Sequence, residues 1–271
     1  MLKQRIITAL VLLPFALGGF FLLDGPLFAL FIGAVVSLGA WEWARLAGLT
    51  AQVQRVAFAV LVAALLLGLY LVPVLAPWVL LCALIWWALA TALVLGYPAS
   101  SRYWVGLPAK LIIGLLILLP AWQGLVLFKQ WPEANWLILA VMVLVWGADI
   151  GAYFSGRRFG KRKLAPQVSP GKSWEGVFGG LLATLLICVG VAIYRDWSFA
   201  SLLLGLLGTA VVVLISVVGD LTESMFKRQS GVKDSSNLLP GHGGVLDRID
   251  SLTAAIPVFA ALLWLVGWGA L

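Results

Sequence analysis

Long apolar runs dominate the chain, and short polar segments separate them. About 20 apolar residues are needed to cross the hydrocarbon core of a membrane, and nine runs approach or exceed that length. They lie at about 5–23, 27–47, 56–72, 77–96, 107–128, 134–155, 175–194, 199–226 and 249–268. Apolar residues occupy all positions of these runs rather than alternate ones, which favours helices over barrel strands. The pattern predicts an all-α polytopic membrane protein with about nine transmembrane helices.

Composition and charge placement agree with this prediction. The 271 residues are 63% hydrophobic and only 11% charged, which is too apolar for a soluble domain of this length. When the connections are assigned alternately to two sides, all basic residues except Lys129 and Arg195 fall on one side. By the positive-inside rule the N-terminus is then cytoplasmic and the C-terminus lies outside. The net charge of +7 is expected to face anionic headgroups and solutes, and no nucleic-acid partner is expected.

The polar residues divide the chain into two regions. Residues 1–130 have short connections and few polar groups inside the spans, and they are predicted to form an N-terminal transmembrane scaffold. Residues 131–271 are predicted to form a C-terminal transmembrane catalytic region. Glu42 is the exception in the first region, and we expect it either to pair with Arg45 or to support a site. Seven tryptophans near predicted helix ends are typical of interfacial belts: Trp41, Trp43, Trp86, Trp87, Trp104, Trp122 and Trp131.

Acidic residues in the second region are candidate functional groups. Asp149 falls inside the sixth run, where a carboxylate costs ~3 kcal/mol or more to insert, and Tyr153 follows one turn later on the same face. Asp220 lies near the end of the eighth run, and Asp247 and Asp250 share a face at the start of the ninth. Neighbouring carboxylates repel unless a cation lies between them, and oxygen ligands suit Mg²⁺. A network neutralised by nearby lysines and arginines is the alternative.

Two polar segments carry candidate phosphate-binding groups. Residues 169–173, Ser-Pro-Gly-Lys-Ser, resemble a phosphate-cradling loop that opens a helix, with Lys172 supplying charge and Ser173 a donor. The segment lacks the first glycine of a Walker A motif. Residues 240–244, Pro-Gly-His-Gly-Gly, can expose successive N–H groups as an anion nest. We expect His242 to donate to phosphate or anchor the loop, because a phosphate monoester, with a second pKa of ~6, needs no base.

Residues 224–250 contain the pattern Ser224-x-Phe226-Lys227-Arg228-x4-Lys233-Asp234-x-Ser236-x2-Leu239-Pro240-x-His242-Gly243-Gly244-Val245-x-Asp247-Arg248-Ile249-Asp250. This pattern resembles the signature of the phosphatidate cytidylyltransferase family, also called CDP-diacylglycerol synthases. Upstream, the segments around Asp149 and Ser169-Pro170-x-Lys172-Ser173-Trp174-Glu175-Gly176 are also similar, although the family often has Thr at the Ser173 position. The resemblance covers about 148–251.

This resemblance implies a membrane enzyme that joins CTP to phosphatidate, giving CDP-diacylglycerol and pyrophosphate with Mg²⁺. The family also implies a homodimer and a monovalent cation, such as K⁺, beside the Mg²⁺. The expected catalytic residues are Asp220, Asp247, Lys172 and Arg248; the expected metal ligands are Asp220, Asp247, Asp250 and Asp149. Substrate binding is expected from Ser173, Lys227, Arg228, Lys233, His242, Gly243, Gly244 and Tyr153. The bacterial inner membrane is the expected location.

Two other function classes remain open at this point. A CTP-dependent lipid kinase would act on a lipid alcohol and release CDP instead of pyrophosphate. A transporter or channel would line its pathway with acids near the bilayer midplane, whereas Asp220, Asp247 and Asp250 lie at predicted helix ends. The Asp-Gly-x2-Ala-Arg pattern of the CDP-alcohol phosphotransferases is absent from the sequence.

Overall fold

A computed structural model of the protein describes residues 2–269, together with the side chains of residue 8 and residues 10–269. Within that range the chain forms nine α-helices: α1 Leu2–Leu22, α2 Gly25–Ala47, α3 Gln52–Leu71, α4 Ala76–Leu95, α5 Leu107–Gln130, α6 Ala134–Phe159, α7 Trp174–Tyr194, α8 Phe199–Gln229 and α9 Leu246–Leu265. Two short 3₁₀ helices cover Pro73–Leu75 and Ala99–Tyr103. The predicted all-α architecture is confirmed.

Eight helices in the described part of the chain, α2 to α9, are long and apolar enough to span a membrane. The described side chains of α1 contribute a shorter apolar segment, Leu10–Leu22. Lys3 and Arg5, which the sequence places among the cytoplasmic basic residues, lie outside the described side chains. The protein is thus an integral, multi-pass membrane protein, and the orientation of its termini stays a prediction.

Local sequence signals explain where several helices begin and end. Ser198 precedes α8, and its hydroxyl accepts a hydrogen bond from the Ser201 N–H, as an N-cap does. Gly48 follows α2 with φ 112°, a left-handed conformation that glycine adopts without steric cost, and its N–H donates to carbonyls of the last turn. Pro26 and Pro108 stand in the first turns of α2 and α5, where the missing N–H of proline removes no helical hydrogen bond.

A small β-hairpin between α6 and α7 was not predicted. Strand β1, Lys163–Ala165, pairs antiparallel with β2, Ser169–Ser173. The predicted phosphate-cradling loop is therefore an edge of this hairpin, although it does lead directly into α7. Ser173 is the N-cap of α7, and its buried hydroxyl accepts a hydrogen bond from the Gly176 N–H. The sequence had indicated this hydroxyl only as a donor to phosphate. Strands this short are defined by their pairing, so no hydrophobic period marks them in the sequence.

Glycines allow helices of the second region to approach closely. A Cβ on Gly180 of α7 would lie 2.5 Å from the Ala148 carbonyl oxygen of α6, and one on Gly151 would lie 2.9 Å from the Gly179 oxygen. Small residues at a helix–helix contact let backbones pack tightly, which is the usual way helices associate within lipid. This packing fixes the position of α7 and, through its N-terminus, of β2.

The tryptophans pack inside the protein, and the expectation that they face lipid in interfacial belts is wrong for most of them. Of the seven, only Trp41 is partly exposed, and the other six are buried. Trp43 of α2 and Trp104 both pack on Phe226 of α8, with ring centroids 4.7 Å and 4.3 Å apart. Aromatic pairs at these distances add ~0.5–1.5 kcal/mol beyond their burial. They hold the end of α8, where the acidic residues lie, against the first region.

Candidate active site

Acidic residues of α8 and α9 meet where the two helices pack together. Gly219 makes this approach possible, because a Cβ at this position would lie 2.7 Å from the Asp250 carbonyl oxygen. Asp220 follows Gly219 directly, and its charge interacts with that of Asp250. The predicted juxtaposition of the acidic ends of α8 and α9 is therefore present in the structure.

Lys172 connects the β-hairpin to this acidic face. Its Nζ lies 2.6 Å from Asp220 Oδ2, and the Ser224 hydroxyl donates to Asp220 Oδ1 at 3.2 Å. Asp149 of α6 interacts electrostatically with both Lys172 and Asp220. Lys172 is thus placed by β2 and Asp220 by α8, and the two charges neutralise one another in this state.

Asp247 is the centre of a second set of contacts. Its Oδ1 accepts from Lys227 Nζ at 2.7 Å. Its Oδ2 accepts from the N–H groups of Ser235 and Gly244, at 2.9 and 2.7 Å, and lies 2.9 Å from the Ser235 hydroxyl. Asp247 therefore organises the loop between α8 and α9. The Gly244 N–H, predicted to bind substrate, is engaged by this carboxylate here.

Glu223 is a buried acid that the predicted site did not include. It lies on the same face of α8 as Asp220 and Lys227, and 2% of its surface is exposed. Neither carboxylate oxygen has a hydrogen-bond partner among the described residues, and its ion pair is with Lys227, at 3.4 Å. It also interacts electrostatically with Asp250 and Asp247. Its spacing from Asp220 was visible in the sequence, but its burial was not.

The chemistry of this cluster fits a hard cation, although no metal site is assembled. Within residues 2–269, no group of three or more His, Cys, Asp or Glu side chains could hold a metal ion as placed. The predicted ligand set therefore does not converge in this state, and lysines hold Asp220 and Asp247. The candidate donors are nevertheless all carboxylate oxygens, which Mg²⁺ prefers. The acids are Asp149, Asp220, Glu223, Asp247 and Asp250.

A cavity of about 350 Å³ lies beside Lys172, between α6, α7 and α8. This volume is within the range of small-molecule sites, ~300–1,000 Å³. Most of its wall is Gly, Ala and Val, and its polar lining residues are Asp149, Tyr153, Arg157, Lys172 and Ser173. Arg157 Nη1 donates to the Tyr153 hydroxyl at 3.2 Å. Four predicted site residues from two separate segments thus line one cavity.

The remaining predicted residues lie in or beside the α8–α9 loop. Arg228 donates from Nε to the Val168 carbonyl at 3.0 Å, which ties the end of α8 to the β-hairpin. Lys233 and Arg248 are exposed. The His242 N–H donates to the Leu239 carbonyl at 2.8 Å, so this residue closes a tight turn through its backbone.

Gly243 has a conformation that requires glycine. Its φ is 81°, and a Cβ there would lie 2.7 Å from Asp247 Oδ2. Its carbonyl accepts from the Leu239 N–H at 2.8 Å. The glycines of this loop therefore let the backbone close around Asp247, and direct substrate binding by Gly243 and Gly244 stays a prediction.

Glu42 of α2 also belongs to this loop. The predicted pairing with Arg45 is not found among the described residues, and the Glu42 carboxylate instead accepts hydrogen bonds from the loop and from the start of α9. Arg45 Nη1 donates to the Ser235 carbonyl at 3.3 Å, and the Ser230 hydroxyl donates to the Leu46 carbonyl at 2.7 Å. The first region thus contacts the site directly as well as supporting it.

Comparison with known proteins assigns this multi-pass membrane protein to the nucleotidyltransferase class of enzymes. Residues 3–266 match the family model described as the cytidylyltransferase family. The chain therefore belongs to the cytidylyltransferase family, as the signature predicted.

Curated relatives place the chain more narrowly. It is 76% identical over 270 residues to the phosphatidate cytidylyltransferase of Pseudomonas aeruginosa, with 100% of both chains covered. It is 44% identical over 290 residues to the phosphatidate cytidylyltransferase of Haemophilus influenzae, covering 98% of this chain and 100% of the relative. The predicted resemblance to the phosphatidate cytidylyltransferase family is confirmed over the whole chain.

Proposed function

We propose that the protein transfers the cytidylyl group of CTP to phosphatidate, giving CDP-diacylglycerol and pyrophosphate. The observation that carries this proposal is the position of Lys172, which lines the 350 Å³ cavity and binds Asp220 on the acidic face. An anionic substrate in the cavity would contact the Lys172 ammonium group, which Asp220 already orients. The name of the full-length relatives supplies the two substrates.

The proposed reaction needs no protein base. A lipid-phosphate oxygen attacks the α-phosphorus of CTP and forms a new P–O bond. The bond from that phosphorus to the bridging oxygen breaks, and pyrophosphate leaves with the electron pair. The attacking phosphate has a second pKa of ~6 and is already largely dianionic near neutral pH. The protein therefore has to bring the lipid phosphate and the triphosphate of CTP together, and to neutralise the attacking phosphate, the α-phosphate and the departing pyrophosphate.

The described residues can perform this neutralisation. Lys172 would contact phosphate from the cavity wall, and Lys233 and Arg248, which are exposed, would contact the triphosphate. Before the metal binds, Lys227 would hold Asp247 in place through the 2.7 Å contact. Fixed cations of this kind stabilise developing charge, and removing one such contact typically costs ~10²–10³ in turnover.

Asp220 and Asp247 would hold Mg²⁺, with Asp250 and Asp149 as supporting acids. When bound, the ion would offset the charge of the triphosphate and of the departing pyrophosphate. The lysines on Asp220 and Asp247 would then turn to the substrate phosphates. A bacterial inner-membrane location with a cytoplasmic site, a homodimer and a K⁺ requirement are further parts of the proposal.

Pyrophosphate release by the purified protein tests the proposed function. The assay contains CTP, phosphatidate, Mg²⁺ and K⁺ in mixed micelles, and each component is omitted in turn. We expect release that needs all four, with an equal amount of CDP-diacylglycerol. Release of CDP with a lipid alcohol would indicate a lipid kinase instead.

The Asp247→Asn variant tests the proposed metal role. Asparagine keeps the size of the side chain but removes the charge that Lys227 Nζ contacts. We expect turnover to fall at least ~100-fold at limiting Mg²⁺. Near-normal turnover of this variant under those conditions would show that Asp247 does not hold the metal.

A further inference from the structure

Glu42 is a carboxylate from the first region that is completely buried, with 0% of its surface exposed. Its Oε1 accepts from the Ser236 hydroxyl at 2.6 Å and from the Val245 N–H at 2.9 Å. Its Oε2 accepts from the Leu246 N–H at 2.6 Å and lies 3.1 Å from the Ser235 hydroxyl. A buried carboxylate is tolerated only when its oxygens are well hydrogen-bonded, and this one has up to four donors.

These donors belong to the segment that also surrounds Asp247. Gly244, Val245 and Leu246 present three consecutive N–H groups at the start of α9. The first donates to Asp247 Oδ2, and the next two donate to Glu42. The carboxylates of Asp247 and Glu42 therefore accept hydrogen bonds from successive N–H groups of one segment, and together they fix the orientation of the N-terminus of α9.

The Ser235 hydroxyl joins the two carboxylates. It lies 3.1 Å from Glu42 Oε2 and 2.9 Å from Asp247 Oδ2. A hydroxyl has one proton, so it donates to only one of them at a time. The Ser235 N–H donates to Asp247 in either case, at 2.9 Å. Any movement of Glu42 would therefore change the position of Ser235 and the hydrogen bonds that fix Asp247.

We propose that Glu42 is a positioning residue for the reaction, and that it fixes Asp247 by holding residues 235–246 in place. This inference rests on the proposed function for its catalytic meaning, but the anchoring of the loop can be measured without it. Glu42 is not among the residues that line the 350 Å³ cavity, and it lies upstream of residues 148–251, which the family signature covers. The signature therefore does not assign it this role.

The Glu42→Gln variant isolates the hydrogen bonds. The side chain keeps its size but has one acceptor oxygen, whereas Val245 and Leu246 each direct an N–H at a different oxygen of Glu42. In either amide orientation, one of these N–H groups faces an NH₂ group. Glu133→Gln is the matched control, because the Glu133 carboxylate lies outside the site and its ion pair is with Arg195.

Limited trypsin digestion of the detergent-solubilised protein measures the anchoring directly. Lys233 is exposed within the loop, and cleavage after it requires the loop to open. We expect cleavage after Lys233 to be about tenfold faster in Glu42→Gln, which corresponds to a loss of about 1.4 kcal/mol in loop closure. Cleavage at 161–163, where three exposed basic residues lie at and just before the start of β1, is the internal reference and is expected to stay unchanged.

Two further outcomes keep the proposal testable. If Glu42→Gln is cleaved faster at every site, the variant has lost its fold, and Ser236→Ala replaces it. This change removes one donor to Glu42 and the acceptor of the Leu238 N–H, and it leaves the carboxylate in place. We expect Ser236→Ala to accelerate cleavage after Lys233 severalfold. Wild-type cleavage after Lys233 in the folded variant would overturn the proposal.

The Mg²⁺ dependence of pyrophosphate release separates positioning from simple structural support. Changing a residue that orients a metal ligand typically weakens metal affinity or activity ~10–100-fold. We expect the half-saturating Mg²⁺ concentration of Glu42→Gln to rise by about that factor and that of Glu133→Gln to stay unchanged. A lower maximal rate with an unchanged half-saturating concentration would contradict the positioning role. If the wild-type protein releases no pyrophosphate, the proposed function fails, while the digestion still decides whether Glu42 anchors the loop.

Discussion

Replacing Gly219 by alanine should disturb the contact on which the acidic face depends. The added Cβ would lie 2.7 Å from the Asp250 carbonyl oxygen and 2.9 Å from the Ala254 Cβ. A relaxed carbon–oxygen contact is ~3.3 Å, so α8 and α9 must separate by about 0.6 Å. Backbone atoms oppose the new methyl group, and no flexible side-chain end can move aside to accommodate it.

The stability and activity effects of Gly219→Ala differ in size. Overpacking a close contact costs ~1–3 kcal/mol, and exchanging Gly for Ala in a helix returns ~1 kcal/mol. We therefore expect the free energy of unfolding to fall by about 0–2 kcal/mol. Turnover should fall more, about 10–100-fold, because catalytic groups tolerate displacements of only ~0.5 Å and a 1 Å error can cost ~10².

Gly208→Ala provides the control within the same helix. A Cβ on Gly208 has nothing within 4 Å, so this variant should gain up to ~1 kcal/mol in stability and keep its turnover. Pyrophosphate release and thermal unfolding in detergent measure the two effects. Full turnover of Gly219→Ala would refute the argument that the close approach of α8 and α9 positions the acids.

Two further variants test separate contacts. Lys172→Gln removes the cation 2.6 Å from Asp220, and we expect pyrophosphate release to fall about 100-fold. The melting temperature of this variant should change little, since the Lys172 side chain is partly exposed. If the variant unfolds instead, its loss of pyrophosphate release would reflect a role of Lys172 in stability. Gly180→Ala brings a Cβ within 2.5 Å of the Ala148 carbonyl oxygen, whereas Gly190→Ala in the same helix meets nothing within 4 Å. We expect the melting temperature of Gly180→Ala to fall by a few degrees and that of Gly190→Ala to hold, and equal melting temperatures would contradict the close packing of α6 and α7.

The helices were predictable because lipid imposes a strong constraint on the sequence. Within lipid, an α-helix satisfies its backbone groups internally, and its side chains must be mainly apolar over the ~20 residues that cross the hydrocarbon core. Helices α2 to α9 accordingly begin and end within a few residues of the predicted runs. The runs do not show which side faces lipid, and for this reason the burial of Trp43, Trp104 and Trp122 was missed.

The site was only partly predictable, because its contacts join distant segments. The spacing within α8 and at the start of α9 predicted that the acidic ends of these helices meet, and they do so at Gly219 and Asp250. The partners of Lys172 and Glu42 depend on how the β-hairpin and α2 pack against those helices, and no local pattern encodes that packing. Glu223 follows the same period as Asp220, but the sequence does not show that its carboxylate is buried.

The contact between Glu42 and Leu246 has a consequence for biosynthesis. The two residues are 204 positions apart, and a ribosome adding about 5–20 residues per second needs about 10–40 s to make that length. During this interval α2 has left the ribosome while the donors for Glu42 do not yet exist. Until α9 is inserted, the Glu42 carboxylate must therefore stay hydrated or accept hydrogen bonds from other polar groups, so the nascent first region has to pass through a conformation different from its final one.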